Sequence, residues 1–356
     1  MSKIINVGIV GIGRIGRSMA KKEISQFPDK FRVVAACDLI PERTAQIAEL
    51  YEGCREYTDY AEMLKQADID LVYICTRSCD HYEHALMAFE AGKDVLLEKP
   101  VTISYEQALD LYSRANKEGT PRLYVHQQRR LESAFTKVKE VVDSGILGRV
   151  YEVNTVQSDF QHRDDWQTIS EFGGGQLLNW GPHIIDHSLQ LLGTKTFEMQ
   201  SYLTQATAGG DCEDHLRIRF IGDNNRVVNM CISGGMALHR GRSFEAFGTR
   251  GAAVYEDGKL TLRYINPEQE IPLVISSRET PGAAFGSSGT YKSSLEIDWK
   301  TEEYEVAVAG PEMAQFWNYL YETLENGKPF LLTDDDILAI MRTISTVKAQ
   351  NKYIMK

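Results

Sequence analysis

Three glycines with dinucleotide-binding spacing follow the first apolar run: Gly11, Gly13 and Gly16, in the pattern G-x-G-x-x-G. Gly11 permits a tight turn, Gly13 leaves room for a pyrophosphate against the backbone, and Gly16 lets a helix and a strand pack closely. A helix beginning near Arg14 and Ile15 would present free N–H groups and a partial positive charge to phosphates. The spacing predicts dinucleotide binding, with a ligand-free glycine-rich turn as the alternative.

Asp38 ends the next apolar run, about 20 residues after the last glycine. A carboxylate at this point accepts hydrogen bonds from the adenosine ribose and repels a 2′-phosphate. The nearest following cation, Arg43, falls on the helix predicted from Pro41, so the sequence favours NAD over NADP. The alternative for Asp38 is an acidic residue at the start of that helix.

A lysine in the sequence Glu98-Lys99-Pro100 directly follows another apolar run. Open α/β folds bind their ligands at the carboxyl edge of the parallel sheet, so an ammonium at this edge can meet a substrate. A solvated surface lysine is the alternative.

The first third of the chain alternates apolar runs with segments of helical period. Such continuous runs predict strands covered on both faces, and the alternation predicts a doubly wound parallel sheet of the Rossmann type. The predicted strands are Ile4–Val10, Phe31–Cys37, Leu71–Cys75, Val95–Leu97 and Leu123–His126, and the predicted helices are Ile15–Ser25, Pro41–Tyr51, His81–Ala91 and Tyr105–Glu118. We expect an NAD-binding domain in residues 1–124.

The pattern changes in residues 125–356, for which we expect an α+β domain that binds substrate and forms oligomers. Period-two alternation predicts a large, mostly antiparallel open sheet with one wet face. The predicted elements are helices at Glu132–Ser144 and near Ile184–Leu192, strands at Tyr151–Asp159, Leu216–Ile221, Arg226–Ile232, Phe244–Phe247, Leu260–Tyr264 and Ile271–Ile275, and a mobile loop at Thr280–Gly289. Two C-terminal helices, the second with capping-box spacing at Thr333 and Asp336, can pack back on the first domain.

Composition excludes several classes of protein. A chain of 356 residues suggests about two domains. The net charge of −11 disfavours nucleic acid and anionic membranes as partners. Six scattered cysteines provide neither a disulfide framework nor a zinc-binding spacing, and no run approaches the ~20 apolar residues of a membrane span. We expect a cytoplasmic protein without a metal.

Several motifs occur together along the chain. They are Gly11-x-Gly13-x-x-Gly16, Asp38, Cys75-Thr76 with His81, Glu98-Lys99-Pro100, and Gly173-Gly174-Gly175 followed by Asn179, His183 and Asp186. Over essentially its whole length the chain therefore resembles the Gfo/Idh/MocA oxidoreductases. The resemblance implies NAD or NADP as cofactor, a sugar, inositol or related polyol as substrate, and a homodimer or homotetramer assembled through the outer face of the C-terminal sheet.

The resemblance also assigns roles to individual residues. It implies that the cofactor is bound by Gly11, Gly13, Arg14, Ile15, Gly16, Asp38, Thr76, His81, Glu98 and Lys99. Lys99 would contact both the nicotinamide and the reacting hydroxyl, after a cis Lys99–Pro100 peptide. His183 would take the hydroxyl proton, for which an ordinary histidine pKa near ~6.5 is suitable. The alternative for His183 is a residue at a helix start that the local backbone satisfies.

Two positions depart from the family pattern. Asn179 stands where many members carry an aspartate, and an amide can orient a hydroxyl or an imidazole but holds no proton or charge. A buried amide satisfied by backbone is the alternative for Asn179. Arg77 stands where a proline is common, and it reaches either a ligand or a surface ion pair.

Three further residues are candidates for substrate binding. Trp166 follows Arg163-Asp164-Asp165 and can stack on a sugar ring, with a core or interface role as the alternative. Arg129 and Arg130 follow the last predicted strand of the first domain, where either can contact substrate oxygens or remain solvated.

The expected function is NAD-dependent oxidation of a secondary hydroxyl on a sugar, glycoside or inositol-type polyol. Two alternatives share the scaffold. One is a non-catalytic dinucleotide sensor or regulator, which could lose Lys99 or His183 freely. The other is NAD-assisted glycoside cleavage, in which transient oxidation permits elimination and no NADH accumulates.

Overall fold

The computed structural model describes residues 3–238, 241–271 and 296–351. Its first sheet has six parallel strands in the order β3-β2-β1-β4-β5-β6. The strands are β1 Ile5–Val10, β2 Phe31–Cys37, β3 Arg55–Tyr57, β4 Leu71–Ile74, β5 Asp94–Glu98 and β6 Leu123–His126. Apart from those of the edge strand β3, most of their side chains are buried, because helices cover the sheet. The predicted parallel Rossmann sheet is confirmed.

Six helices accompany this part of the chain. They are α1 Arg14–Lys22, α2 Pro41–Ala48, α3 Tyr60–Leu64, α4 His81–Glu90, α5 Tyr105–Arg114 and α6 Ser133–Ser144. β3 and α3, which are only three and five residues long, were not predicted. Asp59 caps α3 by accepting hydrogen bonds from the backbone N–H groups of Ala61 and Glu62, a local signal that was overlooked.

The second sheet has eight strands in the order β14-β13-β12-β11-β7-β10-β9-β8. They are β7 Val150–Ser158, β8 Phe197–Thr204, β9 His215–Gly222, β10 Val227–Ser233, β11 Gly241–Gly248, β12 Gly251–Glu256, β13 Lys259–Ile265 and β14 Trp299–Glu305. All neighbouring pairs are antiparallel except β7 with β10. The expectation of a mostly antiparallel sheet is confirmed.

Three strands of this sheet were not predicted, and two expectations cannot be compared with it. β14 is an exposed edge strand rich in charge, and β12 begins with Gly251 and two alanines, so neither shows a strong apolar pattern. β8 does alternate inward and outward residues, a signal that was missed. The loop Thr280–Gly289 and all but the first residue of the strand Ile271–Ile275 lie outside the described residues.

Helices α7 Gln176–Asn179 and α8 Gly181–Leu192 lie against the second sheet, and two more helices follow β14: α9 Gln315–Asn326 and α10 Asp334–Gln350. The Trp317 indole of α9 packs edge-on against Phe31 of the first sheet, with ring centroids 5.3 Å apart. The capping box of Thr333 and Asp336 is present at the start of α10. Within the described ranges, no helix has the length and apolar character needed to cross a membrane.

Candidate active site

A cavity of about 840 Å³ opens at the carboxyl ends of β1, β2, β4 and β5. Residues that follow β7 in the chain close its other side: Asp165, Trp166, Gln167, Gly173, Gly174, Leu178 and Asn179. The predicted site residues that line it are Gly11, Gly13, Arg14, Ile15, Asp38, Thr76, His81, Glu98, Lys99, Trp166 and Asn179. Gly16, Arg129 and His183 lie outside this lining.

The three glycines of the first turn serve different purposes. Gly11 has a φ of +88°, and a Cβ there would come within 2.6 Å of the Cys75 carbonyl carbon. A Cβ at Gly16 would lie 2.3 Å from the Gly11 oxygen. At Gly13, by contrast, a Cβ would meet no atom within 4 Å. Gly11 and Gly16 are therefore required by packing, whereas Gly13 borders open space at the N-terminus of α1.

Asp38 lies at the end of β2, and its carboxylate contacts this turn. Its Oδ2 accepts a hydrogen bond from the Ile12 backbone N–H at 2.7 Å, and its Oδ1 accepts one from the Ile40 N–H at 3.0 Å. The Arg43 guanidinium lies 3.4 Å from Oδ1 and also lines the cavity. The Arg43 guanidinium therefore lies beside the Asp38 carboxylate, closer than we expected for a residue on the following helix.

Thr76, Arg77 and His81 occupy the turn after β4. The Nδ1 and Nε2 atoms of His81 lie 2.7 Å and 3.2 Å from the carbonyl oxygens of Pro100 and Thr76. Both ring nitrogens of His81 are thus occupied by backbone carbonyl oxygens. His81 therefore connects the turn after β4 to the segment after β5, and neither nitrogen is free to bind a cofactor. Arg77 forms an ion pair with Asp80 at 3.0 Å and lies over the Phe172 ring at 4.6 Å.

Lys99 directly follows β5, and its side chain reaches Asn179 at the end of α7. The Lys99–Pro100 peptide is cis, as the resemblance implied. The ammonium donates hydrogen bonds to the backbone carbonyl of Asn179 at 3.0 Å and to its side-chain oxygen at 3.5 Å. Burial lowers the Lys99 pKa to about 8, which the Glu98 carboxylate opposes and the positive charge of Arg129 reinforces.

His183 lies one helical turn after Asn179, close to the ammonium of Lys99. The side chain is buried, and Nδ1 has no hydrogen-bond partner among the described residues. Burial, followed by the charges of Lys99 and Arg129, lowers its pKa well below the ordinary value. The expectation of an ordinary histidine pKa was therefore wrong, because sequence gives no measure of burial. His183 is a neutral imidazole at neutral pH.

The segment 163–167 supports Asn179 from the opposite side. The Gln167 side chain donates to the Asn179 oxygen at 3.4 Å, and Arg163 contacts both Gln167 and Asp165. Trp166 lines the cavity beside them. Asn179 is thus held between Lys99 and Gln167, an arrangement that requires a side-chain acceptor but no charge.

Two models of known protein families match this chain. A model described as the oxidoreductase family, NAD-binding Rossmann fold, matches residues 5–126, and one described as the GFO/IDH/MocA C-terminal domain matches residues 135–254. The chain belongs to the Gfo/Idh/MocA family of oxidoreductases.

Relatives of this Gfo/Idh/MocA chain include proteins of known and unknown activity. The uncharacterized oxidoreductase YhhX of Escherichia coli (strain K12) is 25% identical over 94% of this chain and 93% of its own length. The D-glucoside 3-dehydrogenase of the same strain is 30% identical over 54% of this chain and 55% of its own length. A solved NAD-binding protein from Listeria innocua superimposes with a TM-score of 0.78 at 22% identity, covering 98% of this chain and 97% of that one.

Sequence reasoning missed one residue that shapes the glycine triplet of this Gfo/Idh/MocA protein. The buried Glu213 carboxylate accepts a hydrogen bond from the Leu177 backbone N–H at 2.8 Å. A Cβ on Gly175, whose φ is +95°, would lie 2.4 Å from that carboxylate. Glu213 therefore fixes the start of α7, which carries Asn179. Nothing in the local sequence relates it to a helix that begins 37 residues earlier.

The two arginines after β6 have separate partners. Arg130 is bound by the buried Asp186, with Nε donating to the carboxylate at 2.7 Å, and it does not belong to the lining of the cavity. Arg129 donates to the buried Glu132 at 2.6 Å and lies 4.5 Å from the Trp180 ring centroid. The Arg129 side chain is about one-fifth exposed.

Proposed function

We propose that the chain is an NAD-dependent dehydrogenase that oxidises a secondary hydroxyl of a sugar, glycoside or inositol-type polyol. The observation that carries this proposal is the half-buried Lys99, which lines the cavity and whose ammonium donates to Asn179, four residues before His183. The glucoside dehydrogenase among its relatives supports this substrate class. In this proposal, residues 1–124 bind NAD, and residues 125–356 bind substrate and assemble a homodimer or homotetramer through the outer sheet face.

The residues of the cavity fit a dinucleotide. The open space at Gly13 accommodates a pyrophosphate at the start of α1, and Asp38 lies where an adenosine ribose would be recognised. The bound nicotinamide supplies the hydride acceptor. Trp166, which lines the cavity, and Arg129 would contact the sugar.

Lys99 and His183 would share the work on the reacting hydroxyl. His183 accepts its proton, at Nε2 because Nδ1 is fully buried. The Lys99 ammonium donates a hydrogen bond to the hydroxyl oxygen and stabilises the negative charge that develops on it. Asn179 orients the ammonium through its backbone and side-chain oxygens.

Turnover should depend on pH through Lys99 and not through His183. Because the Lys99 pKa is about 8, the ammonium form is lost as the pH rises through about 8, and kcat falls. Because burial lowers the His183 pKa well below its ordinary value, the imidazole stays neutral at neutral pH, and its protonation should not reduce kcat there. A kcat that instead rises through about pH 8 would make Lys99 the proton acceptor and contradict these roles.

Cofactor choice should depend on Asp38 and its neighbour Arg43. Asp38→Ser keeps a hydroxyl for the backbone of Ile12 and frees the Arg43 guanidinium to pair with a 2′-phosphate. We expect kcat/KM to fall about tenfold with NAD and to rise about tenfold with NADP. Adding Arg43→Ala should remove the gain with NADP. An unaltered NAD/NADP ratio in Asp38→Ser would reject this role for the acid.

A panel of monosaccharides, inositols and glycosides with NAD and NADP tests the proposal. Steady accumulation of reduced nicotinamide with at least one member supports the dehydrogenase. Release of an aglycone without net NADH would indicate NAD-assisted cleavage. Tight dinucleotide binding with no reaction across the panel would indicate a sensor.

A further inference from the structure

Three buried side chains form a polar cluster beneath Lys99, on neighbouring strands of the first sheet. Glu98 of β5 stands opposite His126 of β6 in the strand register, and Tyr73 lies on β4. The Glu98 Oε1 accepts a hydrogen bond from the Tyr73 hydroxyl at 2.6 Å and one from the His126 Nδ1 at 2.6 Å. The Glu98 Oε2 accepts one from the Lys99 backbone N–H at 3.2 Å.

The cluster continues away from the cavity. The His126 Nε2 lies 3.6 Å from the Glu23 carboxylate at the end of α1, and Glu23 also accepts a hydrogen bond from the Trp317 indole of α9 at 2.9 Å. His126 does not line the cavity, whereas Glu98 does. A histidine with no access to the ligand is therefore linked to the lysine through a single carboxylate.

Both members of the Glu98–His126 pair are charged at neutral pH. Burial alone raises the pKa of Glu98, but the charge and hydrogen bond of His126 outweigh it and bring the pKa below its ordinary value. Burial alone lowers the pKa of His126, but the carboxylates of Glu98 and Glu23 outweigh it and raise the pKa to about 9. A buried carboxylate is thus kept ionised by a buried imidazolium.

The other charged groups around Lys99 oppose its charge. The groups that face Lys99, Glu98 or His126 from the packed elements are Arg14, Arg129, Arg163, His183, Glu23, Tyr73, Cys75 and His81. Of those acting on the Lys99 ammonium itself, Arg129, Arg14 and Arg163 favour its neutral form, and Glu98 favours the charged form. Glu98 is the carboxylate that offsets burial.

We propose that His126 is a positioning residue that keeps Glu98 ionised, and that this buried carboxylate in turn keeps the Lys99 ammonium charged. Its importance for catalysis rests on the proposed function, because that function requires the ammonium. The coupling of charges among His126, Glu98 and Lys99 does not depend on the proposed function.

The direction in which the Lys99 pKa changes when His126 is removed shows whether His126 acts through Glu98 or directly on Lys99. If His126 acted on Lys99 only through space, removing its positive charge would relieve a repulsion and raise the lysine pKa. If it acts through Glu98, its removal lets burial protonate the carboxylate, and Lys99 loses the group that holds its proton. The lysine pKa then falls.

The experiment is competitive acetylation of the full chain with acetic anhydride between about pH 6 and about pH 10, with the Lys99 peptide quantified by mass spectrometry. In His126→Gln and in Glu98→Gln we expect the Lys99 pKa to fall from about 8 to about 7 or lower. At pH 7 the fraction of Lys99 in the neutral amine form then rises at least about fivefold. The double variant should show no further fall. Tyr73→Phe removes the hydroxyl's contacts with Glu98 and His126 but no charge, so the Lys99 pKa should fall less than in either of these two variants.

A rise or no change of the Lys99 pKa in His126→Gln, or additive effects in the double variant, would overturn the proposal. A histidine titration of the unaltered protein provides a second test, which does not depend on the folding of any variant. Among its eight histidines, one should titrate near pH 9 by NMR, and the absence of such a histidine would also overturn the proposal. Neither the acetylation experiment nor the NMR titration requires turnover. If the polyol panel shows no reaction, the proposed function is rejected, but both measurements still test the coupling of His126, Glu98 and Lys99.

Discussion

Replacing Lys99 by methionine is expected to lower kcat about 10³-fold while the affinity for NAD stays within a few-fold of the unaltered protein. Methionine is close in length to the aliphatic part of the lysine side chain, so the packing beside Asn179 is largely kept. The variant loses the positive charge that meets the developing alkoxide, an interaction strongest in the transition state. The glycine turn and Asp38, which lie on other strands, still bind the dinucleotide.

Turnover by rapid mixing and NAD affinity by calorimetry measure the two effects separately. Lys65→Met is the matched control, since this lysine lies on the surface in an ion pair with Glu62 and outside the cavity lining. It should leave both quantities unchanged. If Lys99→Met turned over substrate at the normal rate, the role given to this ammonium would be rejected.

Replacing Gly13 by alanine should abolish most dinucleotide binding without unfolding the protein. A Cβ at this position meets no atom within 4 Å in the ligand-free chain, so the thermal unfolding midpoint is expected to stay the same. The same Cβ occupies the space into which a pyrophosphate must come. Losing one or two hydrogen bonds to that charged group, each about 1.5–3 kcal/mol, should raise the Kd for NAD about 100-fold.

Gly16→Ala provides the contrast, because its Cβ would come within 2.3 Å of the Gly11 oxygen. That variant should lose stability, visible as a lower unfolding midpoint, before any ligand is added. Gly13→Ala binding NAD as tightly as the unaltered protein would mean that the pyrophosphate does not lie over this turn.

Much of the first sheet could be predicted from sequence, because its strands are buried on both faces and appear as continuous apolar runs. The predicted strands Phe31–Cys37 and Leu123–His126 coincide with β2 and β6. β3 and β14 could not be found in this way. Both are edge strands with polar, half-exposed or exposed residues, so they lack an apolar pattern.

The candidate site was predictable where its parts follow one another along the chain. The glycine turn could be placed because its geometry depends on neighbours a few residues away. The environment of His183 could not, since its depressed pKa results from the packing of α8 and from charges on distant segments. For the same reason the contact between Glu213 and the turn before Asn179 could not be predicted, since the two segments are far apart in the chain.

The most direct test of hydride transfer follows the hydrogen itself. The protein is incubated with NAD and a sugar or polyol that carries deuterium at its ring carbons, and the nicotinamide is analysed by mass spectrometry. We expect one deuterium in each reduced nicotinamide formed, because the hydride moves directly from the oxidised carbon to the ring. An oxidised sugar accompanied by unlabelled or unreduced nicotinamide would contradict the account.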